Sequence, residues 1–190
     1  VLFRSVQLFL NYGANAQAIP SPLIIALTVR KPSLEIVSLL LEHGANPNIV
    51  VPEMGNGPLM AIALGNSANT PAIIQKLIAH GGNINYRRAA EGYTALMDAR
   101  NPEVVTLLLN LNADADVKTQ QGQDNVISMT IKAGDLPKLK ALLEHNSNVN
   151  IQDANGFTPL MLSAMMVRDA QMHPTAVVAE QLILAGADVN

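Results

Sequence analysis

A short phrase returns six times along this chain, and it limits the possible folds more than any other feature. It is an aliphatic run, one or two polar residues, then Gly-Ala-Asn or a close variant. It reads LFLNYGANAQ from Leu8, LLLEHGANPN from Leu39 and KLIAHGGNIN from Lys76. It continues as LLLNLNADAD from Leu107, ALLEHNSNVN from Ala141 and QLILAGADVN from Gln181. The residues at the glycine position are Gly13, Gly44, Gly81, Asn112, Asn146 and Gly186, spaced 31, 37, 31, 34 and 40 apart. A period of about 35 residues is the signature of stacked repeats, each one supersecondary unit. Such a stack is elongated and has no central core, so the 190-residue length does not count domains here.

A second phrase lies upstream of each run from the second copy on: SPLI at Ser21, GPLM at Gly57, TALM at Thr94, DNVI at Asp124 and TPLM at Thr158. A hydroxyl before Pro is a helix start, because its oxygen accepts from free first-turn amides while Pro gives up an amide with no helical partner. Thr70–Pro71 and Asn101–Pro102 open second helices in the same way. Each second helix closes where Gly supplies a left-handed residue, and Asn112 and Asn146 substitute for it. Ile36, Val37, Leu39, Leu40 and Leu41 form a broad apolar stripe at helical spacing. The unit is therefore two antiparallel helices and a polar loop, unable to bury its stripe without neighbours.

These phrases resemble the ankyrin-repeat family. The match is fullest at Asp153–Leu160 and Gly186–Asn190, which repeat its D-x-x-G-x-T-P-L opening and G-A-D-V-N close. The resemblance implies an all-α solenoid of helix-turn-helix units with β-hairpin-like finger loops. It runs over 1–190 as a single array, with repeats at about 1–17 (partial), 18–48, 49–85, 86–116, 117–150 and 151–190. The family's His after Thr-Pro-Leu is absent, its place read as Ile24, Met60, Met97, Ile127 or Met161, so dispersion and apolar burial are expected to join the repeats there. Only 18 residues separate Thr94 from Asn112, against 23 from Ser21 to Gly44; about one helical turn is missing near Arg100–Asn101 and irregular curvature is expected there. The last unit spans 28 residues from Thr158 to Gly186, the extra ones around Arg168–Pro174. The chain opens at Val1 inside a second helix, without Met or a polar capping repeat, and is expected to be a segment of a longer protein.

Composition narrows the chemistry. Aromatics are 3% and charged residues 14%, so the core is aliphatic and 18 Asn carry much of the polar surface. The net charge of −3 and scattered Lys and Arg lack the basic face of a nucleic-acid binder. Cys is absent, which excludes disulfides and thiolate metal sites and fits a reducing, cytoplasmic setting. The apolar run Pro22–Val29 is far below the roughly 18 residues of a membrane span. His43, His80 and His145 share one repeat position, but helices packed about 8–10 Å apart keep such a column from sharing one ion. A helix C-terminus is their better explanation. Asp114 and Asp116 belong to a repeating loop, Ser128 and Ser163 to small packing positions, and Gly81–Gly82 to a helix close. No catalytic residue, cofactor, metal or small-molecule ligand is therefore expected.

Recognition of another protein or peptide remains. The resemblance places the partner on the fingers and first helices, which line a concave groove. Around each finger glycine the variable positions are Met54 and Asn56, Glu91 and Tyr93, Gln121 and Gln123, and Asn155 and Phe157. Exposed Tyr, Phe and Met suit contact surfaces; Met165 and Met166 extend that face. The alternative is a substrate-recruiting or autoinhibitory arm of an enzyme whose catalytic domain lies outside this segment.

Overall fold

The computed structural model describes residues 2–51, 55–120, 122, 124–145, 147–165 and 175–189. Its helices are α1 (Leu2–Asn11), α2 (Pro22–Thr28), α3 (Leu34–Glu42), α4 (Pro58–Ala63), α5 (Thr70–Ala79) and α6 (Ala95–Asp98), then α7 (Pro102–Asn110), α8 (Val126–Ala133), α9 (Leu136–Glu144), α10 (Pro159–Met165) and α11 (Thr175–Leu184). The first helices α2, α4, α6, α8 and α10 pack on one another in chain order. The second helices α1, α3, α5, α7, α9 and α11 form a parallel layer behind them. Each seam is aliphatic: Leu23, Leu59, Ile73, Ile74, Leu77, Leu96, Leu108, Ile127, Leu142 and Leu182 are all buried.

The starts and stops follow the repeat phrases. Ser21, Thr94 and Thr158 accept from the amides of Ile24, Met97 and Met161. At the close of α3, Gly44 takes φ 84°. Its N–H reaches Leu41 and that of Ala45 reaches Leu40, pairing the last carbonyls of the helix. Asn112 holds φ 63° and makes the same closure. Asn146 and the insertion at 168–174 lie outside the described residues.

Two starts differ from the sequence pattern. In the fifth unit the cap is Asn125, one residue later than DNVI suggests, in a capping box with Ser128. Gly122 stands three residues before its cap, whereas Gly92 and Gly156 stand two before theirs, so this finger carries one extra residue. Ser128, not Ile127, consequently occupies the slot of Ile24 and Met60. At α5 the cap position is Asn69, and the Thr70 hydroxyl, expected to cap, is buried without a partner.

Neighbouring repeats are also tied by hydrogen bonds, in the loops that follow the second helices. In each Asn-x-Asn phrase the first side chain turns the loop: Asn46 Oδ1 accepts from Asn48 N–H, and Asn83 Oδ1 from Asn85 N–H. The second side chain crosses to the next repeat. Asn48 donates to the Gly81 carbonyl at 2.8 Å and accepts from Asn83 N–H at 2.7 Å. Asn150 does the same with Gly186 and Asp188. Asn85 and Asp116 accept from Asp114 and Asn148, and Gln17 donates to Gly44. This ladder is one use of the Asn-rich composition. Asn48→Ala should lower stability by about 1–2 kcal/mol in urea denaturation, since it removes two inter-repeat bonds. Asn48→Asp, which keeps only the acceptor, should lose less; equal losses would show that donation to Gly81 contributes nothing.

Candidate partner-binding surface

The fingers are tight turns centred on left-handed glycines, Gly55, Gly92, Gly122 and Gly156. Each closes on itself: Val51 N–H reaches Asn56, Arg88 N–H reaches Tyr93, Thr119 N–H reaches Asp124 and Asp153 N–H reaches Phe157. They also hold one another. Tyr86 OH donates to the Gly55 carbonyl at 2.9 Å, Arg87 to the Lys118 carbonyl at 2.7 Å, and Gln120 N–H to Glu91 at 2.8 Å. Gly92 permits that last approach, because a Cβ there would lie 2.7 Å from Gln120 N.

The residues expected to read a partner fare differently. Met54, Gln121 and Gln123 lie outside the described residues, as do Met166 and His173. Asn155 is exposed and Phe157 half-buried, and the N–H groups of both donate to the Asp153 carboxylate. Asn56 is half-buried, with a side-chain oxygen that has no partner. Glu91 is exposed and pairs with Arg88 at 3.6 Å. Tyr93 packs against the core beneath the Arg88 guanidinium, 5.6 Å from its ring centre.

The repeat phrases do not single out a row along the first helices. Counting from each cap, Ile25 (51% exposed), Leu64 (49%), Met161 (46%) and Met165 (54%) fall three, four or seven positions on, as does half-buried Met129. Those spacings share one helical face. The cap register was the signal that could have revealed it. The three histidines point elsewhere: the Nδ1 atoms of His43, His80 and His145 each lie 2.9 Å from the carbonyl four residues earlier on their own helices. Among the described residues no group of three His, Cys, Asp or Glu is placed to hold a metal ion.

Beside α6 the stack opens. This helix has 4 residues where the other first helices have 6 to 8, and the missing turn leaves a cleft of about 610 Å³. Its wall includes Leu64, Tyr93, Met97, Asp98, Arg100, Met129, Asp135 and Lys138. From the next repeat, Lys138 donates to the carbonyls of Met97 (2.9 Å) and Ala99 (2.7 Å), which the lost turn would have bonded. Lys138 is 6% exposed and forms no ion pair among the described residues. Burial pushes its pKa down to about 8, against the pull of Asp135 and Asp98 and with a small push from Arg100. Asp98 is raised above the usual carboxylate range by burial, in spite of its 2.9 Å pairing with Arg88.

A family model for ankyrin repeats in three copies matches residues 23–119 and again 99–190. The chain belongs to the ankyrin-repeat family. Ankyrin repeats are in general modules of protein–protein interaction. The array is 28% identical over 161 residues to human Rabankyrin-5, covering 82% of this chain and 13% of that protein. It is 25% identical over 163 residues to the putative palmitoyltransferase ZDHHC13 of Danio rerio, covering 84% of this chain and 24% of the other. The array thus spans less than a quarter of either relative's length. Its fold matches the crystal structure of the ankyrin repeat domain of Bcl-3 with a TM-score of 0.79 at 24% identity, over 98% of this chain and 81% of that one. No described helix is long and apolar enough to cross a membrane.

Proposed function

We propose that the array grips a protein or an extended peptide across the face made by its first helices and fingers, within a longer protein. The observation that supports this most is the set Ile25, Leu64, Met161 and Met165, large apolar side chains held exposed on three of the first helices or at their ends. One exposed apolar residue alone needs no explanation; several on the same side of the first helices favour a contact surface. Asn56, Glu91, Tyr93, Asn155 and Phe157 edge that face, with Met54, Gln121 and Gln123 as further finger contacts.

The test begins with a partner captured on the immobilised array. Ile25→Glu and Met161→Glu, both at exposed positions, should each weaken binding at least about tenfold while the helical spectrum is unchanged. Undiminished affinity in both variants would remove this set from the interface. Tyr93→Ala is a poor probe, because Tyr93 is packed against the core and its loss would disturb the fold.

The second reading, an arm that recruits substrate to or inhibits a catalytic domain elsewhere in the protein, draws support from the likeness to a putative palmitoyltransferase. Deleting the array from the full-length protein should then change its activity toward a protein substrate. Unchanged activity would discard this reading.

A further inference from the structure

The cleft beside α6 holds four charged side chains, and their partners divide them unevenly. Asp98 is bound by Arg88 at 2.9 Å. Asp135 serves the start of α9, where its Oδ1 accepts the Lys138 backbone N–H at 3.1 Å. The two cations are not neutralised in this way. Arg100 is exposed and pairs with no carboxylate among the described residues. Lys138 spends two of its three N–H donors on neutral carbonyls and has no ion pair among the described residues. A buried ammonium without a direct ion pair is costly. Around these cations Leu64, Tyr93, Met97 and Met129 give the cleft apolar walls.

We infer that this cleft receives an acidic side chain of the bound partner, its carboxylate held between Lys138 and Arg100 and its apolar neighbours lying against Leu64 and Met129. The inference rests on the protein-binding reading and gives it a chemistry: the partner segment carries Asp or Glu flanked by aliphatic residues. A carboxylate in the cleft gives Lys138 the direct ion pair that Asp98 and Asp135, engaged elsewhere, do not make, and a guanidinium offers it paired donors. Binding must also favour the protonated form of Lys138, opposing the burial that depresses its pKa. Asp98, Asp135 and Arg100 are the charges acting on Lys138 from α6, the start of α9 and the loop after α6.

The test uses the whole chain with ¹³C at the lysine ε carbons and two capped peptides, acetyl-Leu-Glu-Leu-amide and acetyl-Leu-Gln-Leu-amide. The Glu peptide should move the Lys138 signal and raise its titration midpoint by roughly one pH unit. The Gln peptide should bind about tenfold more weakly and leave the midpoint where it was. Arg100→Gln, at an exposed position, should weaken the Glu peptide about tenfold and keep the fold. Equal binding of the two peptides, an unmoved Lys138 midpoint, or no binding of the Glu peptide at millimolar concentration would overturn the inference. A captured partner that depends on Ile25 and Met161 while neither peptide moves Lys138 would overturn it and leave the broader binding reading standing.

Discussion

Leu77→Ala is expected to lower the unfolding free energy by about 3 kcal/mol, the middle of the range for a buried leucine truncation. Leu77 is fully buried on α5, which packs against α3, α4 and α7, so the change opens a cavity at a junction between repeats. In a stack each unit is supported only by its neighbours, and a weakened middle unit uncouples the flanks. Urea denaturation followed by circular dichroism should show an earlier midpoint, and broadening if the two flanks then melt separately. Leu184→Ala, at a site 80% exposed on α11, is the control and should cost under about 0.5 kcal/mol. Equal losses at the two sites would contradict a core running through the stacked seams.

The second large effect is a stability that rises in alkali. The folded-state pKa of Lys138 is pushed down to about 8 from 10.5 by burial. Below pH 8 both folded and unfolded chains hold the proton, and the folded state carries the full penalty of a buried charge. Between pH 8 and 10.5 the folded chain has released the proton while the unfolded chain retains it, so the unfolded state binds more protons and stability climbs with pH. A shift of this size corresponds to about 3 kcal/mol, an upper figure for a side chain that also keeps two carbonyl partners. The measurement is the stability difference between the chain and Lys138→Met at pH 7 and pH 11, which isolates this one side chain. That difference should move in favour of the unaltered chain by up to this amount. A difference constant with pH would mean that Lys138 keeps its ordinary affinity for protons, and the cleft would then be wetter than its burial implies.

Much of the helical frame was legible in the residues because its rules are local. A hydroxyl or Asn three residues before a free amide starts a helix, a left-handed Gly or Asn stops one, and aliphatic side chains at helical spacing mark the buried stripe. Those rules placed the starts at Ser21, Thr94 and Thr158, the stops at Gly44 and Asn112, and the lost turn before Asn101. They slipped where a loop changed length. The extra residue between Gly122 and Asn125 shifted the start of α8 by one and put Ser128 where Ile127 was read. They also misjudged Thr70, whose hydroxyl is buried while the chain at Asn69 makes the bend.

The binding surface was far less legible, since exposure is a property of neighbours. Tyr93 looks like a contact residue in its finger, yet Arg88 covers its ring and the core takes its edge. Met161 was expected to be buried between repeats, yet it stands 46% exposed on α10. By itself, then, the sequence determined the two-helix unit, its repetition and the places where a turn is missing, all set by backbone preferences within a few residues. Only the tertiary structure decided that Asn48 and Asn150 bridge repeats 33 to 38 residues apart and that Lys138 reaches back 39 to 41 residues to the end of α6. Those contacts depend on how one repeat is rotated and shifted against the next, a relation fixed by packing across the whole seam.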